Sequence, residues 1–163
     1  MRKWLIFMGI CLILSGCGRV ETFETVDDDL LKPVMAEAGE IRLQLPDSAS
    51  GQCILSSEAG KLYFCDGFTV TVQTLQRGDL SRTCSTLCGF SAEEVSMVQT
   101  FEKGFHRWDW AWTAAGEGGD AVGRAAVLDD GVYHYCVSVM AEAGEAGALE
   151  TQWSALMGSI EVV

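Results

Sequence analysis

Residues 68–75 alternate apolar and polar side chains more regularly than any other stretch of the sequence. Phe68, Val70 and Val72 fall on one side of this period-two pattern, and the residues between them are polar. Side chains two residues apart in a strand share a face, so the pattern predicts a strand with one buried and one polar face. Such a strand is typical of an antiparallel sheet, and the rest of the chain must supply its neighbours.

Seven other segments carry strand patterns and are separated mostly by turn residues. They are residues 41–45, 53–55, 62–65, 96–102, 105–113, 122–128 and 132–140. Gly60 supplies the turn of the first hairpin, and Asp129-Asp130-Gly131 is the turn between the last two segments. Asp66-Gly67 is either a tight hairpin turn or a bulge that kinks one long strand, and we favour the bulge. Residues 159–162 follow as a last edge strand.

Two helices are predicted from capping residues and from apolar residues at helical spacing. Asp79 is a suitable N-cap and Gly89 a suitable stop for a short helix over Leu80–Cys88. A C-terminal helix ends at Gly158, and its apolar positions are Leu149, Trp153, Leu156 and Met157. This order of elements predicts an α+β fold, with an antiparallel β-sheet meander packed with a short mid-chain helix and a C-terminal helix.

The N-terminus has the order of a secretory signal. Arg2 and Lys3 precede a short apolar run, whereas a bilayer span needs about 20 apolar residues. Leu14-Ser15-Gly16-Cys17 follows and resembles the lipobox of bacterial lipoproteins. That resemblance implies cleavage before Cys17 and acylation of its thiol, for instance by palmitate. We therefore expect a lipoprotein signal peptide over residues 1–16, lipidated Cys17 with an acidic tether over 17–32, and a single α+β domain over 33–163.

The charge of the chain bears on its partners. Its 163 residues carry 11 Lys+Arg against 23 Asp+Glu, a formal net charge of −12. That balance argues against a nucleic-acid partner, because nucleic acid is bound by clustered Lys and Arg. Each buried methylene of an acyl chain contributes about 0.8 kcal/mol, so two acyl chains anchor a protein stably in the lipid bilayer. We expect the chain at the cell membrane, lipid-anchored on its extracytoplasmic face.

Five cysteines remain once the signal is removed and Cys17 is acylated. Cys53 and Cys65 are equidistant from the centre of the first hairpin, so we expect them to face each other and form a disulfide. Cys84 and Cys88 share a face of the mid-chain helix, where a metal-binding pair and buried free thiols are both open and we favour free thiols. Zinc takes four protein ligands and both histidines are distant in sequence, so we predict no metal site and no cofactor.

Three tryptophans and one histidine share a face of the predicted strand 105–113. They are His106, Trp108, Trp110 and Trp112. An open ladder of indoles stacks on sugar rings or peptides, which makes the tryptophans candidate ligand contacts. The alternative is that this face belongs to the core and is covered by the C-terminal helix through Trp153. We favour the core, because exposing three indoles in a row is costly.

The glycine-rich segment 116–123 is a second candidate contact surface. It nearly fits the spacing of a nucleotide-binding P-loop, but Arg124 replaces the lysine and Ala125 replaces the hydroxyl that holds magnesium. We therefore predict no nucleotide site here. The segment is expected to be an acidic loop whose Glu117 and Asp120, together with Arg124, contact a ligand.

His134 and Cys136 share a face of the predicted strand 132–140 and are weak candidates for a catalytic pair. A Cys–His nucleophile requires contact at about 2.6–3.2 Å, whereas neighbours two residues apart in a strand are about 6.6 Å apart at the backbone. No oxyanion-hole motif and no third orienting residue accompany them. Catalysis is the minority interpretation.

Several segments resemble a group of uncharacterised bacterial lipoproteins. They are residues 62–66, 73–80, 109–120, 122–131 and 133–136. The order of elements is also similar to the fold of the photosystem extrinsic P protein, an antiparallel sheet between helices found mostly in assembly or binding modules. The first resemblance implies an envelope lipoprotein without a known activity, and fold alone does not decide function.

The favoured hypothesis is a membrane-anchored, extracytoplasmic, non-catalytic binding or accessory domain. Its partners are the lipid bilayer, through acylated Cys17, and a protein or envelope ligand. The alternative is an extracytoplasmic thiol-dependent hydrolase that uses Cys136 or another thiol with His134 or His106. A structural envelope component that forms oligomers is a third hypothesis.

Overall fold

The alternating segments of the sequence pair into an antiparallel sheet. A computed structural model of the chain describes residues 36–47, 53–57, 60–115 and 119–163. The strands are β1 (Ile41–Arg42), β2 (Cys53–Ser57), β3 (Gly60–Cys65), β4 (Phe68–Gln76), β5 (Met97–Glu102), β6 (Phe105–Ala114), β7 (Ala121–Asp129), β8 (Tyr133–Glu142) and β9 (Glu161–Val162). Within the described residues, seven strands form the main sheet in the order β2-β3-β4-β8-β7-β6-β5, and β1 pairs with β9 in a small second sheet.

Both predicted helices are present. Helix α1 (Leu80–Cys88) begins where the Asp79 carboxylate accepts a hydrogen bond from the backbone of Ser81, and it ends at Gly89, whose φ of 81° is the left-handed conformation that favours glycine. Helix α2 (Ala146–Gly158) follows a short 3-10 turn at Ala143–Glu145. The α+β prediction is confirmed. No helix in the described ranges is both long and apolar enough to cross a membrane.

The two helices cover opposite faces of the main sheet, because strand side chains alternate in direction. On one side of the sheet, which we call the α2 face, the strands pack against helix α2. The buried residues of this face include Phe68, Val70, Ala126, Val137, Val139, Trp153 and Leu156. The α1 face packs helix α1 on the other side, and its buried residues are Cys84, Trp110, Trp112, Ala125, Val127 and Cys136. The apolar side predicted for 68–75 therefore lies on the α2 face.

Two local predictions are wrong. Cys65 pairs with Phe68, so Asp66-Gly67 is a tight hairpin turn and not a bulge, and Gly67 takes a φ of 80°. The strand predicted over 41–45 is only two residues long. It pairs with β9 at the opposite end of the chain, which shortens it to the length of that partner.

The predicted disulfide register is also wrong. The hairpin of β2 and β3 forms, but Cys53 lies opposite Tyr63 and not opposite Cys65. An irregularity between Cys53 and Leu55 shifts the pairing, and a bulge of this kind changes which residues face each other. Cys65 carries a free thiol in the structure.

Candidate functional site

The tryptophan face of β6 belongs to the core, as favoured from the sequence. Trp110 and Trp112 are buried, and Trp108 is half-buried. The covering element is α1, however, and not the C-terminal helix. Trp153 lies on the α2 face, where its ring packs edge-on against Phe68 at 6.1 Å between centroids. These indoles do not form the open ladder that ligand stacking requires.

Gly123 allows Trp112 to lie close against the sheet. The two residues are paired across β6 and β7, and a Cβ atom at Gly123 would overlap the indole ring of Trp112. A larger residue at position 123 requires the ring to move. The glycine that sequence analysis assigned to a contact loop thus acts as a packing residue inside a strand.

A buried polar cluster lies where α1 meets the ends of β7 and β8. The Thr83 hydroxyl and Nδ1 of His134 share a hydrogen bond of 2.8 Å. Nε2 of His134 lies 3.7 Å from Oδ2 of Asp129, and Arg77 donates to that same oxygen at 2.9 Å. Thr83, Asp129 and His134 are all buried. The cluster therefore fixes α1 to the sheet through side-chain contacts.

Burial lowers the pKa of His134 below its ordinary value, and the positive charge of Arg77 acts in the same direction. The carboxylates of Asp129 and Asp130 oppose that change without cancelling it. The Trp108 ring lies edge-on to the imidazole at 6.5 Å between centroids. A neutral His134 beneath α1 follows from this environment.

Cys136 does not form a nucleophile pair with His134. Its thiol donates to the backbone carbonyl of His134 at 3.6 Å, and the imidazole is engaged by Thr83. The thiol is fully buried, and burial raises its pKa to about 12. His106 is exposed; its ring stacks on Trp108 at 6.0 Å between centroids and is tilted against Phe101 at 5.0 Å. A buried thiol with a high pKa is unreactive at neutral pH.

Cys84 and Cys88 lie in contact on α1. Their Sγ atoms are 3.6 Å apart, and the Cys88 thiol donates to the Cys84 carbonyl at 3.2 Å. Cys84 is fully buried, whereas Cys88 is half-buried. Burial, followed by the contact with Cys88, raises the pKa of Cys84 to about 12. Both carry free thiols in the structure.

The α1 face is open beyond the helix, across β3, β4 and β8. Phe64, Thr69 and Met140 form one cross-strand row there, and the two apolar side chains are 49% and 48% exposed. A groove of about 420 Å³ runs past this row to Asp120. Of the predicted loop contacts, Asp120 is exposed at this groove. Arg124 lies elsewhere and donates to the Ser154 hydroxyl on α2 at 3.2 Å.

Two predicted site residues lie outside the described residues. They are Cys17, the predicted lipidation site, and Glu117 in the glycine-rich segment. Their assignments stay predictions.

The solved structures most useful for comparison share the architecture at low sequence identity. LpqN of Mycobacterium tuberculosis, described as involved in cell envelope biogenesis, aligns with a TM-score of 0.52 at 15% identity, over 78% of this chain and 87% of that chain. The chain is similar in fold to LpqN. A Bacteroides thetaiotaomicron protein aligns with a TM-score of 0.51 at 11% identity, over 76% of this chain and 45% of that chain.

A third solved structure overlaps more loosely. It is cyanobacterial PsbP (CyanoP) from Synechocystis, with a TM-score of 0.40 at 7% identity, over 80% of this chain and 96% of that chain. No protein-family model matches the sequence, and no curated protein matches it.

Sequence reasoning missed the contact between Thr83 and His134. The two residues are 51 positions apart, and the polar threonine was not counted among the apolar positions of the mid-chain helix. One signal was present, since Thr83 precedes Cys84 and therefore borders the helix face that faces the sheet. The pairing partner is set by the tertiary arrangement and has no local sequence signal.

Proposed function

We propose that this chain is a membrane-anchored, extracytoplasmic lipoprotein whose domain is a non-catalytic binding or accessory module. The observation that carries the proposal is the fold shared with LpqN, a protein involved in cell envelope biogenesis, which extends over 87% of that chain. The lipobox-like Leu14-Ser15-Gly16-Cys17 supports the anchor. The lipid bilayer is then one partner, and a protein or envelope ligand is the other.

The open part of the α1 face is the contact surface we favour. Phe64 and Met140 expose about half of their side chains on either side of Thr69, and exposed apolar patches are typical of interaction sites. The groove beside them ends at exposed Asp120, which supplies a charged rim. This combination of an apolar centre and a polar edge supports binding of a protein surface.

The thiol-dependent hydrolase has no geometric support among the described residues. Cys136 is sealed in the core, its pKa is about 12, and its thiol contacts a backbone carbonyl instead of an imidazole. A thiol nucleophile needs a lowered pKa and access to substrate. We therefore propose no catalytic role for Cys136 or His134.

The anchor is tested by fractionation of cells that express the full chain. We expect the Cys17→Ser variant to lose acylation and leave the washed membrane fraction, whereas the Cys11→Ser variant stays acylated. Continued acylation of Cys17→Ser would contradict the anchor.

The contact surface is tested with a photo-crosslinking amino acid at position 140, compared with one at exposed Thr151 on α2. We expect one specific envelope protein to be captured from position 140 in intact cells, and the Met140→Glu variant to reduce capture by a second probe at position 64. Equal capture from positions 140 and 151 would contradict the proposed surface.

A further inference from the structure

Helix α1 brings two thiols together at its last turn. Residues four apart share a helix face, and the Sγ atoms of Cys84 and Cys88 are 3.6 Å apart. Cys84 is fully buried against the sheet, while Cys88 is half-buried. The pair therefore has one side sealed in the core and one side open to entry from solvent.

The helix backbone makes this pair a poor disulfide. Residues at i and i+4 hold their Cβ atoms about 5–6 Å apart, whereas a disulfide requires about 3.5–4.5 Å. A four-ligand zinc site is equally unsuited, because no group of three or more His, Cys, Asp and Glu side chains converges anywhere in the described residues. Two thiols without further ligands are the whole donor set.

That donor set fits a soft ion that accepts two ligands. Thiolates select Cu(I) over harder cations. Two collinear metal–sulfur bonds of about 2.2–2.3 Å each, close to the known zinc–sulfur length, place the sulfurs about 4.5 Å apart. Rotation of the two side chains opens the present contact to that separation, while the Cβ atoms stay about 5–6 Å apart as the helix requires. We propose that Cys84 and Cys88 bind one Cu(I) ion in a two-coordinate site at the end of α1.

The surroundings favour such an ion. Cys84 lies in the buried α1-face cluster with Trp110, and half-buried Leu80, Leu87 and Phe90 pack against that cluster. The cluster shields the Cys84 side of the pair from water. The indole N–H of Trp110, in the same cluster, is buried without a hydrogen-bond acceptor.

Binding exchanges protons for the metal. Burial raises the pKa of Cys84 to about 12, so this thiol is protonated at neutral pH until a metal displaces its proton. Each thiol gives up its S–H proton and forms one bond to Cu(I), which releases two protons and leaves a complex with a net charge of −1. No oxidation or reduction occurs. Apparent affinity therefore rises with pH.

The test is a titration of the reduced full chain in detergent with Cu(I), without oxygen, against a chromophoric Cu(I) chelator. We expect one tightly held equivalent, with an apparent affinity that rises with pH. The Cys84→Ser/Cys88→Ser variant is expected to lose this equivalent. The matched Cys65→Ser/Cys136→Ser variant is expected to retain it, and the other cysteines are common to both variants.

Half-buried Cys88 gives a second test that preserves the core. Cys88→Ser is expected to keep its helical circular dichroism and lose tight binding, and X-ray absorption of the loaded wild-type chain is expected to show two sulfur neighbours. Tight binding that survives in the Cys84→Ser/Cys88→Ser variant would overturn the proposal. Equal loss in the Cys65→Ser/Cys136→Ser control would also overturn it, as would a Cys84–Cys88 disulfide formed in air with the helix intact.

Discussion

The two faces of the main sheet bury different kinds of side chain. The buried cluster of the α2 face is apolar, with Val70, Val137, Val139 and Leu156 at or near zero exposure, and half-buried Arg107 borders it and donates to the Met157 carbonyl. The α1 face also buries tryptophans, but it adds two free cysteines of α1 and the Thr83–His134 contact. The α2 face thus supplies most of the hydrophobic stabilisation, and the α1 face carries the groups capable of chemistry.

The largest expected loss of stability comes from truncating a buried side chain on the α2 face. Leu156→Ala removes a buried side chain from α2, and such truncations cost about 2–5 kcal/mol in the free energy of unfolding. Leu87→Ala makes the same change at a half-buried position of α1, so its cost is expected to be less than half as large. Urea unfolding followed by circular dichroism measures both, and equal costs would contradict the difference between the faces.

The next effect breaks the close packing of the α1 face. Gly123→Ala places a methyl group where the Trp112 ring lies, and overpacking of this kind costs about 1–3 kcal/mol. Gly147→Ala on α2 meets open space and is expected to stabilise the helix by about 0.5–1 kcal/mol. Thermal unfolding of both variants checks the opposite signs. A neutral Gly123→Ala would mean that Trp112 moves freely.

The Thr83→Val variant tests the polar cluster beneath α1, because it keeps the shape of the side chain and removes the hydroxyl. Nδ1 of His134 then has no partner, and a buried polar atom without a partner costs about 1–3 kcal/mol. Thr86→Val on the exposed side of α1 is the matched control and is expected to change stability by less than about 0.5 kcal/mol. Similar values from denaturant unfolding for the two variants would show that the Thr83 contact adds nothing.

A smaller effect is the pH dependence that His134 gives to the stability of the α1 face. The pKa of His134 is lowered in the fold by burial, so the unfolded chain binds more protons between that pKa and the ordinary value of 6.5. The contribution of His134 to the free energy of unfolding is therefore fully present above pH 6.5, and it is lost as the pH falls below that value. His134→Gln is expected to flatten this dependence in urea titrations, and exposed His106→Gln to keep it. A wild-type stability independent of pH over this range would contradict the buried neutral imidazole.

The local elements followed from the sequence because their signals are local. Alternation from Phe68 to Leu75, the Asp79 cap and the Gly89 stop each act within a few residues, and the structure has the strand and the helix there. Exposure of the tryptophan face was also judged correctly. The helix that covers this face was predicted wrongly, because α1 and α2 both have apolar residues and periodicity cannot assign a helix to a face of the sheet.

The candidate site depended on long-range contacts that carry no local signal. Thr83 meets His134 across 51 positions, and β1 meets β9 across the length of the domain. The Cys53 register failed for a related reason, since one irregularity in β2 moves every pairing beyond it. The Cys84 and Cys88 pair was visible in the sequence, but its 3.6 Å contact and one-sided burial required the fold.

The central claim is that α1 buries the thiols of Cys84 and Cys136 against the sheet and leaves the thiol of Cys88 accessible to solvent. The most direct measurement is the rate at which each thiol of the native, reduced chain is alkylated at pH 7.5, mapped by mass spectrometry of peptides. The account predicts that half-buried Cys88 is alkylated in the folded chain, while Cys84 and Cys136 react only on unfolding. Rapid modification of Cys136 in the folded chain would contradict the account and return the thiol-dependent hydrolase to consideration.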